Sequence, residues 1–576
     1  MCGIFLLLNN HGNVNYTETF VKEQFDKGQH RGPENSKFVY LETSINIGFH
    51  RLAINGLDDK SNQPFYIKNC ILICNGEIYN YKELYSLMGV APETNSDCEV
   101  IIHLYRKYGI EQTLHLLDGV FAFALYDMTE ERIHIARDPY GVRPLYYIDN
   151  YKVLGFASEL KQLSDFARID EKRDKVIAYD YVQQFPPGNY QSYYFHKHYE
   201  KWRSVDSPVK YYSNSSLSSF IKMSQTSILS GIQYHLEEAV YKRCTTTDRP
   251  IACLLSGGLD SSLIAALVNE YYTKNTDKQL ETYSIGLENS EDLKYARIVA
   301  DYLNTKHTEI IMTEQEFFDL IPMVIRDIES YDTTTVRASI GNYAIGRYIS
   351  KHSDAKVIFN GDGSDELCGG YLYMHHCPDA LEYDSESRRL LNDMYLFDVL
   401  RSDKSISSHG LEPRTPFLDR NWVQYYLSIQ PSIRFHPGNK QCEKFLLRTA
   451  FSKEHYVNLK GESLLPAEIL WRRKEAFSDG VSCQGRSLFT ILQEKIDSVI
   501  SLDEVNFDRY VASIYKHLTP KTKEQYYYRT IFEQYYPKLG LILPYFWMPK
   551  YTNATDPSAR TLAVYKEKEK ENEEPK

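Results

Sequence analysis

A chain of 576 residues exceeds what one hydrophobic core supports, so it divides into two or more domains. With 66 Lys and Arg against 77 Asp and Glu the net charge is −11, which argues against a general nucleic-acid binder, because that role needs a basic face. Ten cysteines without a CxxC pair argue against a disulfide or zinc framework, and no apolar run reaches the roughly 18 residues of a membrane span.

The chain opens Met1-Cys2-Gly3-Ile4-Phe5, a cysteine ahead of an apolar run that reads as a buried strand. If Met1 is removed, Cys2 carries a thiol and a free α-amine. That amine, with an ordinary pKa of about 7.7–8.0, can take the thiol proton at neutral pH. On its own, Met-Cys reads equally as a small buried cysteine at a strand start. No signal peptide precedes Cys2, and a cytoplasmic, reducing location is expected. The 48 tyrosines have no functional reading.

Strand-like runs follow at Phe38–Leu41, Ile45–Phe49, Cys70–Cys74, Val120–Tyr126, Ile133–Ala136 and Val153–Ala157, with helical patterns at Tyr81–Leu87 and Cys98–Tyr108. This mixture predicts α+β packing. Cys70 and Cys74 share one strand face and read as core. Polar clusters accompany the strands: His30-Arg31-Gly32-Pro33, His50-Arg51-Leu52-Ala53-Ile54, Asn75-Gly76-Glu77 and Ser96-Asp97. An amide-cleaving thiolate needs an oxyanion hole, for which Asn75 and the Gly76 N–H are candidates. An α-amino-acid substrate needs a cation and an anion, and Arg51 and Asp97 have those charges. Singly, Asn-Gly is also a common turn, and a lone Arg or Asp is usually surface.

Met-Cys-Gly-Ile, His-Arg-Gly-Pro, Arg-Leu-Ala-Ile, Asn-Gly-Glu-Ile-Tyr-Asn, Ser-Asp-Cys-Glu and Arg-Asp-Pro-Tyr-Gly-Val-Arg-Pro occur in one order. Residues 2 to about 160 thereby resemble the glutaminase domain of the class II glutamine amidotransferases, whose fold is the N-terminal-nucleophile αββα sandwich. The resemblance implies that Cys2 attacks the glutamine side-chain amide and releases ammonia through a glutamyl thioester. It implies that Arg51, Leu52, Ala53, Ile54, Asn55, Asn75, Gly76, Glu77 and Asp97 hold glutamine, with Asn55 where the family varies.

After a turn-rich stretch at Phe185–Tyr190 and a helix around Ser224–Lys242, the strand Ile251–Leu255 leads into Ser256-Gly257-Gly258-Leu259-Asp260-Ser261. A strand, a glycine loop and a helix start suit an anion, because backbone N–H groups and the helix N-terminus converge there. The loop lacks the GxxxxGK[ST] spacing, and Asp260 beside phosphate predicts Mg²⁺. Without its context such a turn is often mere packing. Here strand and helix patterns alternate through Thr282–Leu287, Thr308–Met312 and Val357–Phe359, the last ending in Asn360-Gly361-Asp362-Gly363-Ser364-Asp365-Glu366. That alternation predicts a doubly wound parallel α/β sheet, with both glycine loops at its carboxyl edge and one metal shared by Asp260 and Asp365.

The two loops resemble those of the PP-loop ATP pyrophosphatases. Joined behind the first half, and with Thr334–Ser339, His409–Asp419 and Trp471–Gly480 also matching, residues 2 to about 560 resemble the glutamine-hydrolysing asparagine synthetase family. The resemblance implies ATP and Mg²⁺, activation of the β-carboxylate of L-aspartate as an adenylate, and attack by the ammonia made from L-glutamine at Cys2. It assigns Leu254, Ile285, Asn360 and Gly361 to the nucleotide, and Ser256, Gly257, Gly258, Asp260, Ser261 and Lys474 to the phosphates. Arg337 becomes the candidate for aspartate. Asp362 stands in the catalytic loop where the family reads Ser-Gly-Glu-Gly-Ser-Asp-Glu, one methylene shorter than the usual Glu, and Asn360 replaces Ser. An active, slower enzyme is expected.

The expected division is a glutaminase at 2–190, a crossing segment at 191–225, a synthetase at 226–560 and a disordered charged tail at 561–576. Small molecules are the expected partners, with no nucleic acid or membrane, and a homodimer is compatible with the resemblance. Rival readings are an amidotransferase acting on sugar phosphates or phosphoribosyl groups, an enzyme of the β-lactam synthetase type, and an inactive regulatory homologue. The Ser-Gly-Gly-Leu-Asp-Ser loop opposes the first and Cys2 the second. The third is opposed by Cys2, Asp260, Asp365 and Lys474 together.

Overall fold

The structure is a computed structural model. It describes residues 1–10, 16–41, 44–150, 152–167, 182–213, 223–472, 474, 480–483, 486–501, 504–554 and 556–558. The tail at 561–576 and the run Glu475–Asp479 lie outside the described residues.

The first half is two antiparallel sheets packed face to face. One is six-stranded, in the order Gln183–Gln184, Tyr146–Asp149, Leu154–Ala157, Gly3–Leu8, Ile45–Arg51, Asn35–Leu41. The other is seven-stranded and runs from Lys201–Ser204 through Asn189–His196, Arg132–Arg137, Gly119–Asp127 and Cys70–Ile78 to Phe65–Ile67, with Val209–Lys210 pairing beside Asn189–His196. Alternation along each strand builds the layers. Ile4, Leu6 and Leu8 of the first strand meet Ile71, Ile73, Ala122 and Ala124 of the second sheet in the central layer. The opposite pleat, Phe5 and Leu7, packs on Val21 and Phe25 of the helix Glu18–Asp26. On the other side Leu72, Cys74, Phe121 and Phe123 face Val100, Ile101 and Leu104 of the helix Val100–Leu116. The result is the expected αββα sandwich.

One segment differs from its expectation and one helix was not anticipated. The segment 191–225 is not simply a crossing, because Tyr190 to Tyr194 pair with Ala136 to Arg132 and the ladder extends the glutaminase sheet. The helix Glu18–Asp26 gave no sequence signal. It is short, and only Val21, Gln24 and Phe25 are buried, so its apolar period is barely repeated.

The second half holds a five-stranded parallel sheet in the order Lys306–Met312, Glu281–Leu287, Ile251–Leu254, Val357–Phe359, Glu412–Arg414. The chain reverses its winding direction between Ile251–Leu254 and Val357–Phe359, and at such a switch point the two flanking loops leave a crevice. The loops that leave there are Ser256–Ser261 and Asn360–Glu366.

The halves meet across buried charge. Arg31 Nη1 lies 2.7 Å from Glu159 and 2.8 Å from Asp403, and Lys404 Nζ is 2.9 Å from Glu159 and also pairs with Glu329. Glu329 accepts the N–H groups of Leu160 and Lys161 at 2.7 and 2.9 Å. Lys404, Lys161 and Arg31 hold the Glu159 carboxyl well below its ordinary range despite burial.

Candidate active sites

Cys2 precedes the strand Gly3–Leu8, and its thiol donates to the carbonyl of Leu52 at 3.5 Å. Its own carbonyl accepts Arg31 Nε at 2.9 Å, which ties the residue to an arginine at the boundary between the halves. Burial pushes the thiol pKa up. Met1 is buried, and its amine, lowered to about 5 by burial, donates to the Leu411 carbonyl at 3.3 Å. While Met1 is attached, the nitrogen of Cys2 is a peptide N–H and cannot serve as a base.

Asn75, Gly76 and Glu77 lie within the strand Cys70–Ile78, so they form part of a sheet rather than a turn. Asn75 is fully buried. Among the described residues its Nδ2 makes one long bond, 3.5 Å to Ser158 Oγ, and its Oδ1 has no partner. Such an amide has capacity left for a ligand. Glu77 accepts Asn55 Nδ2 at 2.5 Å, and the same nitrogen lies 3.4 Å from Asp97 Oδ1. The other Asp97 oxygen accepts the Ile78 N–H at 2.6 Å. Burial raises the Asp97 carboxyl to about 6, and burial together with Asp97 raises that of Glu77.

Arg51 does something its sequence position did not indicate. Nη1 bonds the Asp58 carbonyl and Asn62 Oδ1 at 3.1 and 2.7 Å, and Nη2 bonds the carbonyls of Asn55 and Gly56. The guanidinium therefore anchors the loop that borders the site. The same loop is tied to the second domain: Ile54 O accepts the Asp248 N–H at 2.9 Å, and Ala53 O accepts Arg249 Nε at 2.8 Å. Of the other polar clusters, Arg31 serves the interface, and His50 stacks on Phe25.

The second site is a cavity of about 200 Å³ at the switch point of the parallel sheet. All the residues expected to hold ATP line it except Gly257, and Asp362 and Asp365 join them. Gly257 has φ +69°, and a Cβ there would lie 2.4 Å from the backbone of Tyr295 and Ala296, so only glycine fits the tight turn. Gly361 lets its loop close to the backbone of Asp260, where a Cβ would approach to 2.8 Å. That contact brings the two aspartates into one cluster.

Sequence reasoning missed what joins them. Lys444 Nζ is 2.6 Å from Asp260 and also pairs with Asp365, while Lys474 Nζ is 2.7 Å from Asp365 and 3.8 Å from Asp260. The two lysines hold Asp365 well below its ordinary range, and the two aspartates raise Lys444. Lys444 sits at φ +59°, a strained conformation for a side chain of its size that the surroundings must enforce. No motif surrounds it in the sequence; the odd backbone was the signal, visible only in three dimensions. Ser364 Oγ donates to Asp260 Oδ1 at 2.8 Å, and Ser256 and Ser261 share a hydroxyl pair at 2.9 Å beside the glycine turn. Among the described residues no group of three or more His, Cys, Asp or Glu forms an all-protein metal cage. Two carboxylates beside two lysines nevertheless suit Mg²⁺, which takes one or two carboxylates and fills its shell with phosphates and water.

In the loop Asn360–Glu366, Asn360 Nδ2 donates to Ser402 Oγ at 2.7 Å and its Oδ1 accepts the Asp362 N–H at 3.3 Å. Among the described residues Asp362 Oδ2 is buried without a hydrogen-bond partner, and burial raises its carboxyl.

Arg337 is a correction. It does not line the cavity; its guanidinium is clasped by Glu524 at 2.8 and 2.5 Å and by Asp556 at 2.8 Å. The arginine in Thr334–Ser339 looked available only because its partners come from residues near the end of the chain.

An αββα domain with a cysteine at its second residue, joined to a parallel sheet whose switch point gathers aspartates and lysines, defines a glutamine amidotransferase coupled to an ATP-using synthetase. The family described as "Glutamine amidotransferase domain" matches residues 1–201, and "Asparagine synthase" matches 231–387 and 378–541. The chain is 43% identical over 559 residues to the glutamine-hydrolysing asparagine synthetase of Gallus gallus, covering 93% of this chain and 95% of that protein. The Cricetulus griseus and Homo sapiens enzymes of that name are 41% and 40% identical, each over 98% of this chain and 99% of theirs. This chain belongs to the glutamine-hydrolysing asparagine synthetase family.

Proposed function

We propose that this protein converts L-aspartate to L-asparagine, consuming ATP and L-glutamine and releasing AMP, pyrophosphate and L-glutamate. The observation that carries the reading is the pairing on one chain of the Cys2 pocket with the Asp260–Lys444–Asp365 cavity.

At the first site, Met1 removal frees the Cys2 amine to take the thiol proton. The sulfur bonds to the glutamine amide carbon, the carbon–nitrogen bond breaks, and the proton goes to the departing ammonia. Asn75 Nδ2 and the Gly76 N–H stabilise the oxyanion, Asp97 takes the α-ammonium and Arg51 supplies the positive charge near the α-carboxylate. Water then hydrolyses the thioester.

At the second site, an oxygen of the aspartate β-carboxylate attacks the α-phosphorus, and the bond to pyrophosphate breaks. Lys444 and Lys474 hold the pyrophosphate charge. Asp260 and Asp365 would hold Mg²⁺, which when bound offsets phosphate charge. Ammonia then displaces AMP from the β-aspartyl adenylate, and the unpartnered Asp362 oxygen is placed to accept a proton from the attacking nitrogen. The buried interface would keep ammonia from water on its way.

The ten cysteines are all free thiols, which suits a reducing cytoplasm. No described helix is long and apolar enough to cross a membrane. Homodimerisation is open to measurement by light scattering of the full chain. The deciding assay for function supplies ATP, aspartate and glutamine and scores AMP, pyrophosphate and asparagine. Release of ADP in place of AMP would sink the adenylate mechanism.

A further inference from the structure

With Arg337 taken by Glu524 and Asp556, aspartate needs another cation, and the cavity provides one. Arg401, on the helix Asp398–Ser407, lines it beside Glu366 and Tyr371. Nη1 of Arg401 pairs with Asp398; its Nε and Nη2 make no hydrogen bond among the described residues. Glu366 is 2% exposed, and one of its oxygens accepts the Tyr371 hydroxyl at 2.5 Å while the other has no described partner. The same hydroxyl lies 3.3 Å from Asp398 Oδ1, so Tyr371 ties the two carboxylates together.

Charged groups on a cavity wall that keep spare donors and acceptors can take a ligand of complementary charge. A guanidinium fork with two open N–H groups matches a carboxylate, and a buried acid with a free oxygen matches an ammonium. Both on one carbon describe the head of an α-amino acid. The cavity also holds Lys444 and Lys474, so the second carboxylate of such a ligand shares the space of the nucleotide phosphates.

We propose that Arg401 and Glu366 form the subsite for the α-carboxylate and α-ammonium of the aspartate substrate, with Tyr371 and Asp398 orienting them. The proposal rests on the reading of this site as an aspartate-activating one, and the experiment separates the two.

The full chain is assayed for exchange of labelled pyrophosphate into ATP. Absence of aspartate-dependent exchange in the unaltered protein would overturn the functional reading itself. With exchange established, Arg401→Ala and the isosteric Glu366→Gln should each raise the aspartate KM at least tenfold while the ATP KM stays within twofold, and Arg401→Lys should recover part of the loss. Two analogues separate the roles. Malate has a hydroxyl in place of the ammonium, and β-alanine lacks the α-carboxylate. Glu366→Gln should narrow the preference for aspartate over malate and keep that over β-alanine, whereas Arg401→Ala should do the reverse. An aspartate KM within twofold of the unaltered value, or aspartate and ATP KM values rising together, would overturn the subsite. Should Arg401→Ala fail to fold, the Glu366→Gln arm decides alone.

Discussion

A carboxylate oxygen of Glu77, in the glutaminase strand, lies 3.4 Å from the guanidinium of Arg414, in the outermost strand of the synthetase sheet. Through its backbone carbonyl Arg414 also accepts the N–H of Asn360 at 3.1 Å, so one residue touches the proposed glutamine pocket and the loop Asn360–Glu366 of the other site. Arg414 is 1% exposed and is further held by Glu412 and the carbonyl of Thr246. Removing one member of a buried pair leaves the other uncompensated, at about 3–5 kcal/mol. Arg414→Met should therefore lower stability by about that much in denaturant unfolding. Glu77→Gln should lower glutamine-dependent synthesis about tenfold, roughly 1.4 kcal/mol, and leave ammonia-dependent synthesis near its starting rate. Equal losses with both nitrogen sources would place Glu77 outside the glutamine pocket.

Cys2→Ala should abolish glutamine-dependent asparagine formation and preserve synthesis from added ammonium. Asp260→Ala should end both, since it removes a partner of Lys444 and a phosphate-side carboxylate. Glutamine use by the Cys2→Ala protein would show that another group is the nucleophile.

The pH dependence follows from Asp97, whose carboxyl is raised by burial to about 6. In the proposed mechanism its charged form accepts the glutamine ammonium, so kcat/KM for glutamine should fall as pH drops through about 6. The stability term has the opposite sign. The native state binds the extra proton between the ordinary carboxylate range and about 6, so this group favours the fold at low pH and that contribution is lost as pH rises through the window. Asp97→Asn should lower glutamine affinity and remove this limb of the glutamine profile. An unchanged limb in that variant would assign the titration elsewhere.

Asp362 and Asn360 should behave as a unit. Asp362→Asn should cut asparagine formation by about 10²-fold or more, the usual scale for a lost general base. Asn360→Ser loses the bond to Ser402 and should lower the rate by a smaller factor, with little effect on the ATP KM. The double change Asn360→Ser with Asp362→Glu restores the family's loop pattern and should exceed either single variant in rate. Strict additivity of the two losses would separate them.

Arg337→Ala leaves Glu524 and part of Asp556 buried without their cation, and should cost about 3–5 kcal/mol of stability. The folded fraction should keep its aspartate KM. A selective tenfold rise in that KM would return Arg337 to the substrate.

Short-range pattern was enough for much of the outcome. The sequence by itself determined both sheet classes, because strand periodicity and the alternation of strands with helices are local properties. It also placed the two glycine loops, since a turn of positive φ at Gly257 and a close backbone approach at Gly361 admit little else. Cys2, Asn75, Asp97, Asp260 and Lys474 could be named as candidates because they stand in motifs.

Tertiary structure alone decided the partners. Lys444 joins Asp260 across 184 residues, and Arg337 finds Glu524 across 187. Arg51 turned inward to its own loop, and the strands beyond residue 190 joined a sheet whose core strands precede them by dozens of residues. Which carboxylate neutralises which cation depends on distance and on the dielectric around the pair. Neither quantity is a property of sequence spacing, so charges in motifs could be counted before folding, but only the packed chain shows which of them remain free for a substrate.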